Sequence, residues 1–389
     1  GNEAGRIIYD GELMIASPSQ GLVAKNQRFR FEKVQMAIVE FEELSAIEVQ
    51  PNFDVYEKEQ ELLGALTLGL YDYLRKSHSK GFVLSLSGGA DSSICAVMVA
   101  EMIKKGINTF GLKGFLESLG IDDLEINEEN VIEKLFTCVY QWSKNSSWDT
   151  FESAQALAQD IKAKFFSWRI DKEVASFTDN IEVSLQRKLK WQTDDIALQN
   201  IQARARSPIV WMLANINRAL LITTSNRSEG DVGYATMDGD TSGSIAPIAG
   251  LDKDFIRKWL VWAEQELGYV SLEHVNQLAP SAELRPQEMT QTDETDLMPY
   301  HVLLEIEKMA IREWKSPKEV FELLKSKNLC NEEQLKTYIK KFFKLWSFNQ
   351  WKRERLAPSF LLDDFNVDPR TWCRFPILSG GFEDELKML

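Results

Sequence analysis

Residues 81–93 read GFVLSLSGGADSS, and this stretch decides the fold. Its apolar first half is typical of a short buried strand, and apolar residues at helical spacing follow over 94–105. Between them stand Gly88 and Gly89, which would let backbone N–H groups approach an anion closely. The start of the following helix adds a partial positive charge at the same place. The stretch therefore predicts a strand, an anion-binding loop and a helix, although small residues of this kind also form plain turns.

The alternation of strand and helix continues along the chain. Apolar residues recur at helical spacing over 55–76, before the first strand. After it we predict strands at 135–140, 165–170 and 219–224 and helices at 149–163 and 196–213. This pattern predicts an α/β fold, a doubly wound parallel sheet with helices on both faces, in which ligands bind beyond the carboxyl ends of the strands. The acidic segment 113–130 is interpreted as a solvated surface element.

The first 50 residues have a different pattern, with short extended runs on either side of a turn at 17–21. Three or four strands rarely bury enough surface to be stable by themselves. We therefore expect this stretch to pack on another part of the protein or to belong to a larger sheet domain. A boundary at 51–53 divides the chain into 1–50 and 51–389.

Composition argues against several classes of function. The formal net charge of −14 disfavours non-specific binding to nucleic acid, which depends on Lys and Arg neutralising phosphates. No apolar run reaches the ~18 residues that a membrane-spanning helix requires, so we predict no membrane span. The four cysteines are far apart and the chain has three histidines, which argues against a zinc site and favours a reducing, cytoplasmic compartment.

Side chains of the glycine loop add specific chemistry. Ser87 and Ser92 can donate hydrogen bonds to a phosphate, and Asp91 could hold a divalent cation beside it. The loop lacks the Gly-Lys-Ser/Thr ending of a Walker A motif. It resembles instead the loop of the ATP pyrophosphatase families, which cleave ATP between the α and β phosphates. This resemblance implies a class of reaction and no particular substrate.

A second polar cluster begins where the last predicted strand ends. Residues 224–229 read TSNRSE, and residues 233–240 read GYATMDGD. Because parallel strands end at one edge of a sheet, Glu229 is well placed to share a cation with Asp91. The same residue types are common in helix caps and turns, which is the alternative interpretation of this cluster.

A third pair lies on the predicted helix 196–213. Asn200 and Arg204 are spaced i and i+4, so they share one helical face. An amide and a guanidinium on one face could read a dinucleotide. The alternative is a solvated helix face without a ligand.

The three clusters, in this order and spacing, resemble NAD synthetase. The resemblance extends from about 55 to 380 and includes the stretches 247–253, 280–284 and 291–294. It implies an adenine nucleotide alpha hydrolase-like fold and the ATP-dependent amidation of deamido-NAD (nicotinic acid adenine dinucleotide) to NAD. The nicotinate carboxylate would be activated as an adenylate with release of pyrophosphate, and ammonia would then displace AMP.

The resemblance also implies roles for individual residues. Those that would bind ATP are Ser85, Leu86, Ser87, Gly88, Gly89, Ala90, Asp91, Ser92, Thr224, Lys253 and Ser281. Those that would contact deamido-NAD are Asn200, Arg204, Glu229, Tyr234, Ala235, Thr236, Met237 and Lys352. Asp91 and Glu229 would hold Mg²⁺, and together with Lys253 they are the implied catalytic residues. We add Asp240 as a candidate for admitting or deprotonating ammonium.

Two positions depart from the small ammonia-only members of the family, which carry Lys in place of Met237 and Asp in place of Ser244. This stretch resembles the large glutamine-dependent members, in which a nitrilase-type glutaminase domain precedes the synthetase. Residues 5–11 look like the last part of that domain, but no cysteine here stands in the context of its nucleophile.

We therefore expect residues 1–50 to be a β-rich remnant of a glutaminase domain whose main part is missing or lies in another segment. The chain alone would use free ammonia, and the full-length enzyme would take ammonia from glutamine. The resemblance also implies a homodimer or a larger homo-oligomer, formed through the synthetase domain.

Two other functions stay open. Another ATP pyrophosphatase, such as a GMP synthetase, an asparagine synthetase or a tRNA-thiolating enzyme, would share the glycine loop. Thiolation would favour a basic surface and functional cysteines, and the sequence has neither. A non-catalytic nucleotide-binding module would keep the fold without turnover, and the joint presence of Asp91, Glu229 and Lys253 argues against it.

Overall fold

The structure is a computed structural model that describes residues 6–18, 21–39, 56–278, 283–286, 293–364, 366–371, 373–377 and 380–389. The strands are β1 (Met14–Ser17), β2 (Gly21–Lys25), β3 (Phe82–Ser85), β4 (Phe136–Trp142), β5 (Lys164–Arg169) and β6 (Leu220–Ile222). The helices up to β6 are α1 (Lys58–Ser77), α2 (Ala90–Leu119), α3 (Val131–Leu135), α4 (Trp148–Asp160), α5 (Asp171–Leu185) and α6 (Trp191–Asn217). The helices after β6 are α7 (Arg227–Val232), α8 (Lys253–Glu266), α9 (Leu272–Gln277), α10 (Asp293–Asp296), α11 (Tyr300–Glu307), α12 (Pro317–Leu324), α13 (Glu332–Phe348), α14 (Gln350–Arg353) and α15 (Glu383–Lys387). None of the helices in the described ranges combines the length and the apolar character that a bilayer crossing requires.

Strands β3 to β6 form one parallel sheet in the order β5-β4-β3-β6. The central strand β3 places Phe82 beside Phe136 of β4 on one side and Leu220 of β6 on the other. Both faces are apolar because helices cover both: Leu84 faces the core formed with α1, α2 and α8, whereas Val83 faces α6. The predicted doubly wound sheet is confirmed.

Helix α2 is longer than the sequence pattern predicts. The predicted helix ended at 105, but α2 continues to Leu119 across a break at Gly111, where φ is 68°. Phe115 and Leu119 lie in the sheet core, so the interpretation of 113–130 as a solvated element is wrong for its first half. Most acidic residues of that segment follow Leu119, whereas the apolar residues before that point keep a helical spacing. Only the part from 122 onward is largely exposed.

The N-terminal residues pack on the sheet core. Strands β1 and β2 form an antiparallel hairpin, and the following residues 26–39 contain no strand. Phe29 and Phe31 are buried against α1, and the ring of Phe31 stacks on Tyr71 at a centroid distance of 4.3 Å. The expectation that this stretch packs on something else is met by these contacts. The predicted boundary at 51–53 lies outside the described residues.

A second apolar core lies among the C-terminal helices α11, α12 and α13. At its junction with the sheet core, the guanidinium of Arg227 is 1% exposed. It contacts Glu307 at 3.1 Å, Asp252 at 3.2 Å and Asp363 at 3.1 Å. Because α7 begins at Arg227, this buried network fixes the helix that carries Glu229.

Candidate active site

A cavity of ≈ 320 Å³ opens at the carboxyl ends of β3, β4 and β6. This is the edge at which the sequence analysis places ligands. The predicted site residues that line it are Ser85, Ser87, Gly89, Ala90, Asp91, Thr224, Glu229, Tyr234, Asp240 and Lys253. The glycine loop and the second polar cluster therefore meet around one space.

The glycine loop between β3 and α2 is closely packed. Gly88 has a φ of 82°, and a Cβ there would lie 2.0 Å from the carbonyl oxygen of Thr150, so only glycine fits. The Ser87 N–H donates to Ser92 Oγ at 3.2 Å, and Ser92 Oγ donates to Gly89 O at 3.1 Å. These contacts hold the loop against the first turn of α2, which borders the cavity.

Two of the predicted ATP residues support the loop rather than lining the cavity with their side chains. Leu86 is buried in the sheet core, and its N–H donates to Val139 O at 2.8 Å. Ser92 is buried and its hydroxyl is used within the loop. Ser281, which was also predicted to bind ATP, lies outside the described residues.

Three charged side chains meet at the start of α2. Lys253 Nζ donates to Asp91 Oδ2 and, at 3.2 Å, to Glu229 Oε1. Asn226 Nδ2 donates to Asp91 Oδ1 at 3.1 Å, and its own side-chain oxygen accepts from the Glu229 N–H at 3.0 Å. Lys253 begins α8 and is 4% exposed, so its ammonium depends on these two carboxylates for its charge balance.

The pair Asp91 and Glu229 could hold a divalent cation. A positive charge, the ammonium of Lys253, already lies against both carboxylates. Within the described part of the chain, no group of three or more His, Cys, Asp or Glu could enclose a metal. Magnesium often takes only one or two carboxylates and completes its coordination with water and substrate phosphates, so this pair suffices beside a phosphate.

The predicted dinucleotide residues of α6 hold a loop that forms one wall of the cavity. Thr236 Oγ1 donates to Asn200 Oδ1 at 2.8 Å, and Arg204 Nε donates to Met237 O at 3.0 Å. The common helical face predicted from their spacing is present. Both side chains position the loop over 234–237, and Tyr234 of this loop lines the cavity.

Lys352 of α14 holds the same loop from the other side. Its Nζ donates to Gly233 O at 2.8 Å and to Ala235 O at 3.0 Å. Burial lowers the pKa of this ammonium, and the nearby Asp240 opposes that change. The predicted residues Tyr234, Ala235, Thr236 and Met237 are thus brought together with Asn200, Arg204 and Lys352.

Asp240 lies on the cavity wall close to the end of β6. Its Oδ1 accepts from the Thr236 N–H at 2.7 Å, and its carbonyl oxygen accepts from Thr223 Oγ1 at 2.7 Å. Although the side chain is open to the cavity, desolvation by the surrounding protein raises the pKa of the carboxyl to about 6. A carboxyl group with this pKa can exchange a proton near neutral pH.

Arg206 and Glu283 are among the cavity residues that the sequence analysis did not predict. Arg206 lies on α6 one turn before Val210, which packs on the sheet. The i to i+4 spacing of these two residues could have predicted that Arg206 faces the same side of the helix. Glu283 reaches the cavity from a separate segment, where its Oε2 accepts from the Ser147 N–H at 3.3 Å and from Thr150 Oγ1 at 3.1 Å. The stretch 280–284 is part of the family resemblance, but no regular spacing assigns Glu283 itself to the cavity.

The sequence of this chain matches a known family. A model of the NAD synthase family matches residues 62–355. This chain belongs to the NAD synthase family. The resemblance that the glycine loop and the second cluster predicted is thereby confirmed, and the family is one of enzymes.

Two curated relatives are longer than this chain. The glutamine-dependent NAD(+) synthetase of Aquifex aeolicus is 33% identical over 334 residues, which cover 84% of this chain and 49% of the relative. The protein of the same name from Oryza sativa subsp. indica is 29% identical over 345 residues, which cover 80% of this chain and 46% of the relative. The chain spans about half the length of these relatives.

Solved structures support the same assignment. A glutamine-dependent NAD(+) synthetase from Cytophaga hutchinsonii is similar at a TM-score of 0.88 and 49% identity, over 100% of this chain and 63% of that one. An NMN synthetase from Francisella tularensis, with a TM-score of 0.54 and 19% identity over 80% of this chain and 100% of its own, shares the fold alone. The parallel sheet with helices on both faces is therefore the fold of the family.

Proposed function

We propose that this chain catalyses the ATP-dependent amidation of deamido-NAD to NAD, through an acyl-adenylate and with release of pyrophosphate and AMP. The observation that carries the proposal is the contact of Lys253 with both Asp91 and Glu229 at the edge of the glycine loop. Charges from three separate helices meet beside a loop whose backbone can approach phosphates. Membership of the NAD synthase family supports the same reaction.

In the first step, an oxygen of the nicotinate carboxylate attacks the α-phosphorus of ATP. The bond between the α-phosphorus and the bridging oxygen breaks, and pyrophosphate leaves with its electron pair. Backbone N–H groups of the glycine loop and the start of α2 hold the phosphates, and Lys253 stabilises their charge. The hydroxyls of Ser87 and Thr224 border the cavity and can donate to ATP. Asp91 and Glu229 would hold Mg²⁺, which when bound neutralises phosphate charge.

In the second step, ammonia attacks the acyl carbon, and AMP leaves with the electron pair of the carbon–oxygen bond. The attacking nitrogen must lose a proton, and Asp240 is mostly ionised at neutral pH and can accept it. The adenylate is open to hydrolysis, so the cavity has to exclude water until ammonia arrives. Deamido-NAD would bind against the wall formed by the loop over 234–237, which Asn200, Arg204 and Lys352 hold in place.

We also propose free ammonia as the nitrogen source for this chain, and glutamine for a longer protein with a glutaminase domain. In this proposal residues 1–50 belong to the glutaminase domain and residues 51–389 to the synthetase domain. Burial raises the pKa of the thiols of Cys95, Cys138, Cys330 and Cys373. A glutaminase nucleophile needs the thiolate, so these cysteines are poor candidates for it.

An apolar helix face supports the proposed homo-oligomer. Helix α5 buries none of its residues, and Phe177, Ile181 and Leu185 are 46%, 52% and 53% exposed. Their spacing of i, i+4 and i+8 places them on one face, which is typical of a helix that packs on a partner. We propose that a second copy of this chain covers it. The four free cysteines suit the proposed cytoplasmic compartment.

The proposed function is tested by incubating the purified chain with ATP, Mg²⁺ and deamido-NAD, adding either ammonium or glutamine. NAD, AMP and pyrophosphate are then quantified. We expect equal amounts of all three with ammonium and no NAD with glutamine. Pyrophosphate without NAD would point to another acceptor within the ATP pyrophosphatase class. Binding of ATP and deamido-NAD without any pyrophosphate would favour the non-catalytic module.

A further inference from the structure

Helix α6 crosses one face of the sheet and extends past its ligand edge. Because α6 ends at Asn217, just before β6 begins, its N-terminal half lies at the carboxyl ends of the strands. Val210 and Ala214 pack against β3, β4 and β6. Arg206 lies one turn before Val210 on the same side of the helix, level with the strand ends. Arg206 thus lies on the helix face that carries the apolar residues Val210 and Ala214 one and two turns further along α6.

The guanidinium of Arg206 is partly buried at the cavity wall. It lines the cavity, and among the described residues it makes no hydrogen bond or ion pair. Burial lowers its pKa from the ordinary value, while Tyr140, Asp240 and Glu283 act on it only as more distant charges. An arginine stays protonated even there, so the desolvated charge is unfavourable until an anion enters the cavity.

Lys253, a second cation of the cavity, has different surroundings. Lys253 already contacts two carboxylates beside the glycine loop, on the side of the cavity where the pyrophosphate end of ATP would lie. Arg206 enters from α6, together with Asp240, on the side where the second substrate would bind. The two cations therefore reach one cavity from different helices, α6 and α8.

We infer that Arg206 binds the oxyanion at the reaction centre, where the carboxylate of the second substrate meets the α-phosphate of ATP. The inference rests on the proposed function. Adenylation brings two anions into contact, and the non-bridging oxygens of the α-phosphate carry the charge as the new bond forms. A guanidinium can donate to two such oxygens at once, which a single ammonium cannot do with the same geometry. Arg206 is thus a catalytic residue of the first step.

The first test measures exchange of labelled pyrophosphate into ATP, with deamido-NAD present and ammonia absent. We expect Arg206→Met to lose about 100-fold in exchange rate, and Arg206→Lys to recover part of it. Arg218→Gln is the control, because Arg218 directly follows the same helix, is exposed, and makes no side-chain hydrogen bond or ion pair in the described structure. Exchange by Arg206→Met within threefold of the native rate would overturn the inference. An equal loss of exchange rate in Arg206→Met and Arg206→Lys, together with a lower Tm, would also overturn it, because this result indicates a structural role for the arginine.

The second test identifies the oxyanion by binding. AMP carries the phosphate, deamido-NAD carries the carboxylate, and NAD lacks that carboxylate. A tenfold weaker affinity of Arg206→Met for AMP assigns the α-phosphate, and a loss for deamido-NAD but not for NAD assigns the carboxylate. Unchanged affinity of Arg206→Met for AMP, deamido-NAD and NAD contradicts the inference. A loss of affinity that is confined to pyrophosphate, measured as a fourth ligand, also contradicts it. If the native protein shows no exchange, the proposed function fails, and the AMP measurement still tests Arg206.

Discussion

Lys253 Nζ and Asp91 Oδ2 are in direct contact although 162 residues separate them along the chain. Asp91 lies in the first turn of α2, and Lys253 is the first residue of α8, so the starts of two helices converge on the cavity. With Glu229 the cluster carries a formal charge of −1 − 1 + 1 = −1. A bound divalent cation would change this to +1, which suits a site that must receive the phosphates of ATP.

Replacement of Lys253 by Met removes the cation that lies between two carboxylates. We expect the rate of pyrophosphate exchange to fall about 100-fold, because charge on the phosphates is no longer stabilised. Asp91 and Glu229 then face each other without the ammonium, so a titration should show tighter binding of Mg²⁺. Lys258→Met is the control, since Lys258 lies on the same helix and pairs with Asp254 at the surface. Native-like exchange in Lys253→Met would contradict this role.

Asp240→Asn should slow amidation more than adenylation. The carboxyl is protonated below its raised pKa of about 6 and ionised above it, so its ability to accept a proton grows as pH rises through 6. We expect the rate of NAD formation at fixed free ammonia to rise across pH 5–7 in the native protein. The variant should lack this rise and retain pyrophosphate exchange. Equal losses in both steps would remove Asp240 from the second step.

Gly88→Ala and its neighbour Gly89→Ala should differ in stability. A Cβ at Gly88 would meet the carbonyl oxygen of Thr150 at 2.0 Å in a backbone conformation that favours glycine. We expect a loss of roughly 1–3 kcal/mol in the free energy of unfolding, measured by urea denaturation. A Cβ at Gly89 meets only Ser87 Oγ at 3.6 Å, so that variant should unfold like the native protein. Equal stability of the two variants would show that the loop can move away from Thr150.

Lys352→Met should raise the KM for deamido-NAD and leave the KM for ATP within about twofold. The ammonium holds the carbonyl groups of Gly233 and Ala235, and its loss releases the wall on which the dinucleotide would bind. We expect an increase of about tenfold, since one or two buried charged hydrogen bonds are lost. Arg355→Met breaks only an exposed pair with Asp238 and serves as the control. A change confined to the KM for ATP would place Lys352 in a different subsite.

Phe31→Ala tests the packing of the N-terminal segment. Phe31 is buried and stacks on Tyr71, so its removal leaves a cavity between the segment and α1. We expect a loss of about 3–5 kcal/mol in unfolding free energy and a lower Tm. Val34→Ala, at a side chain that is 76% exposed, should change the Tm little. A native Tm for Phe31→Ala would mean that the segment does not contribute to the stability of the sheet core.

The sheet and the glycine loop could be predicted because their signals are local. An apolar run followed by two glycines and a helix specifies a strand, a loop and a helix without knowledge of the rest of the chain. The order β5-β4-β3-β6 could not be predicted in this way, because strand order depends on which helices cover which face. The extension of α2 to Leu119 was missed for a different reason: most acidic residues of the segment 113–130 lie beyond the helix end, and the whole segment was interpreted from them.

Some residues of the site could be predicted from the sequence, but the contacts of others could not. Asp91 and Glu229 follow strand ends, so the geometry of a parallel sheet brings them together. Helical spacing placed Asn200 and Arg204 on one face, but it could not reveal that Thr236 and Met237 are their partners. Those contacts join loops and helices that are distant in sequence, and only the packed structure determines them.

The arginine at the junction of the two cores has a consequence for how the chain can vary. Arg227 contacts three acidic residues from three separate parts of the chain, and Glu307 among them is fully buried. Loss of Arg227 leaves the fully buried Glu307 without its cation in a place that water does not reach, whereas Asp363 is 30% exposed and can be solvated. A change that removes the charge at Arg227 or at Glu307 is therefore expected to need a compensating change at the other, while the exposed faces of the same helices carry no such constraint.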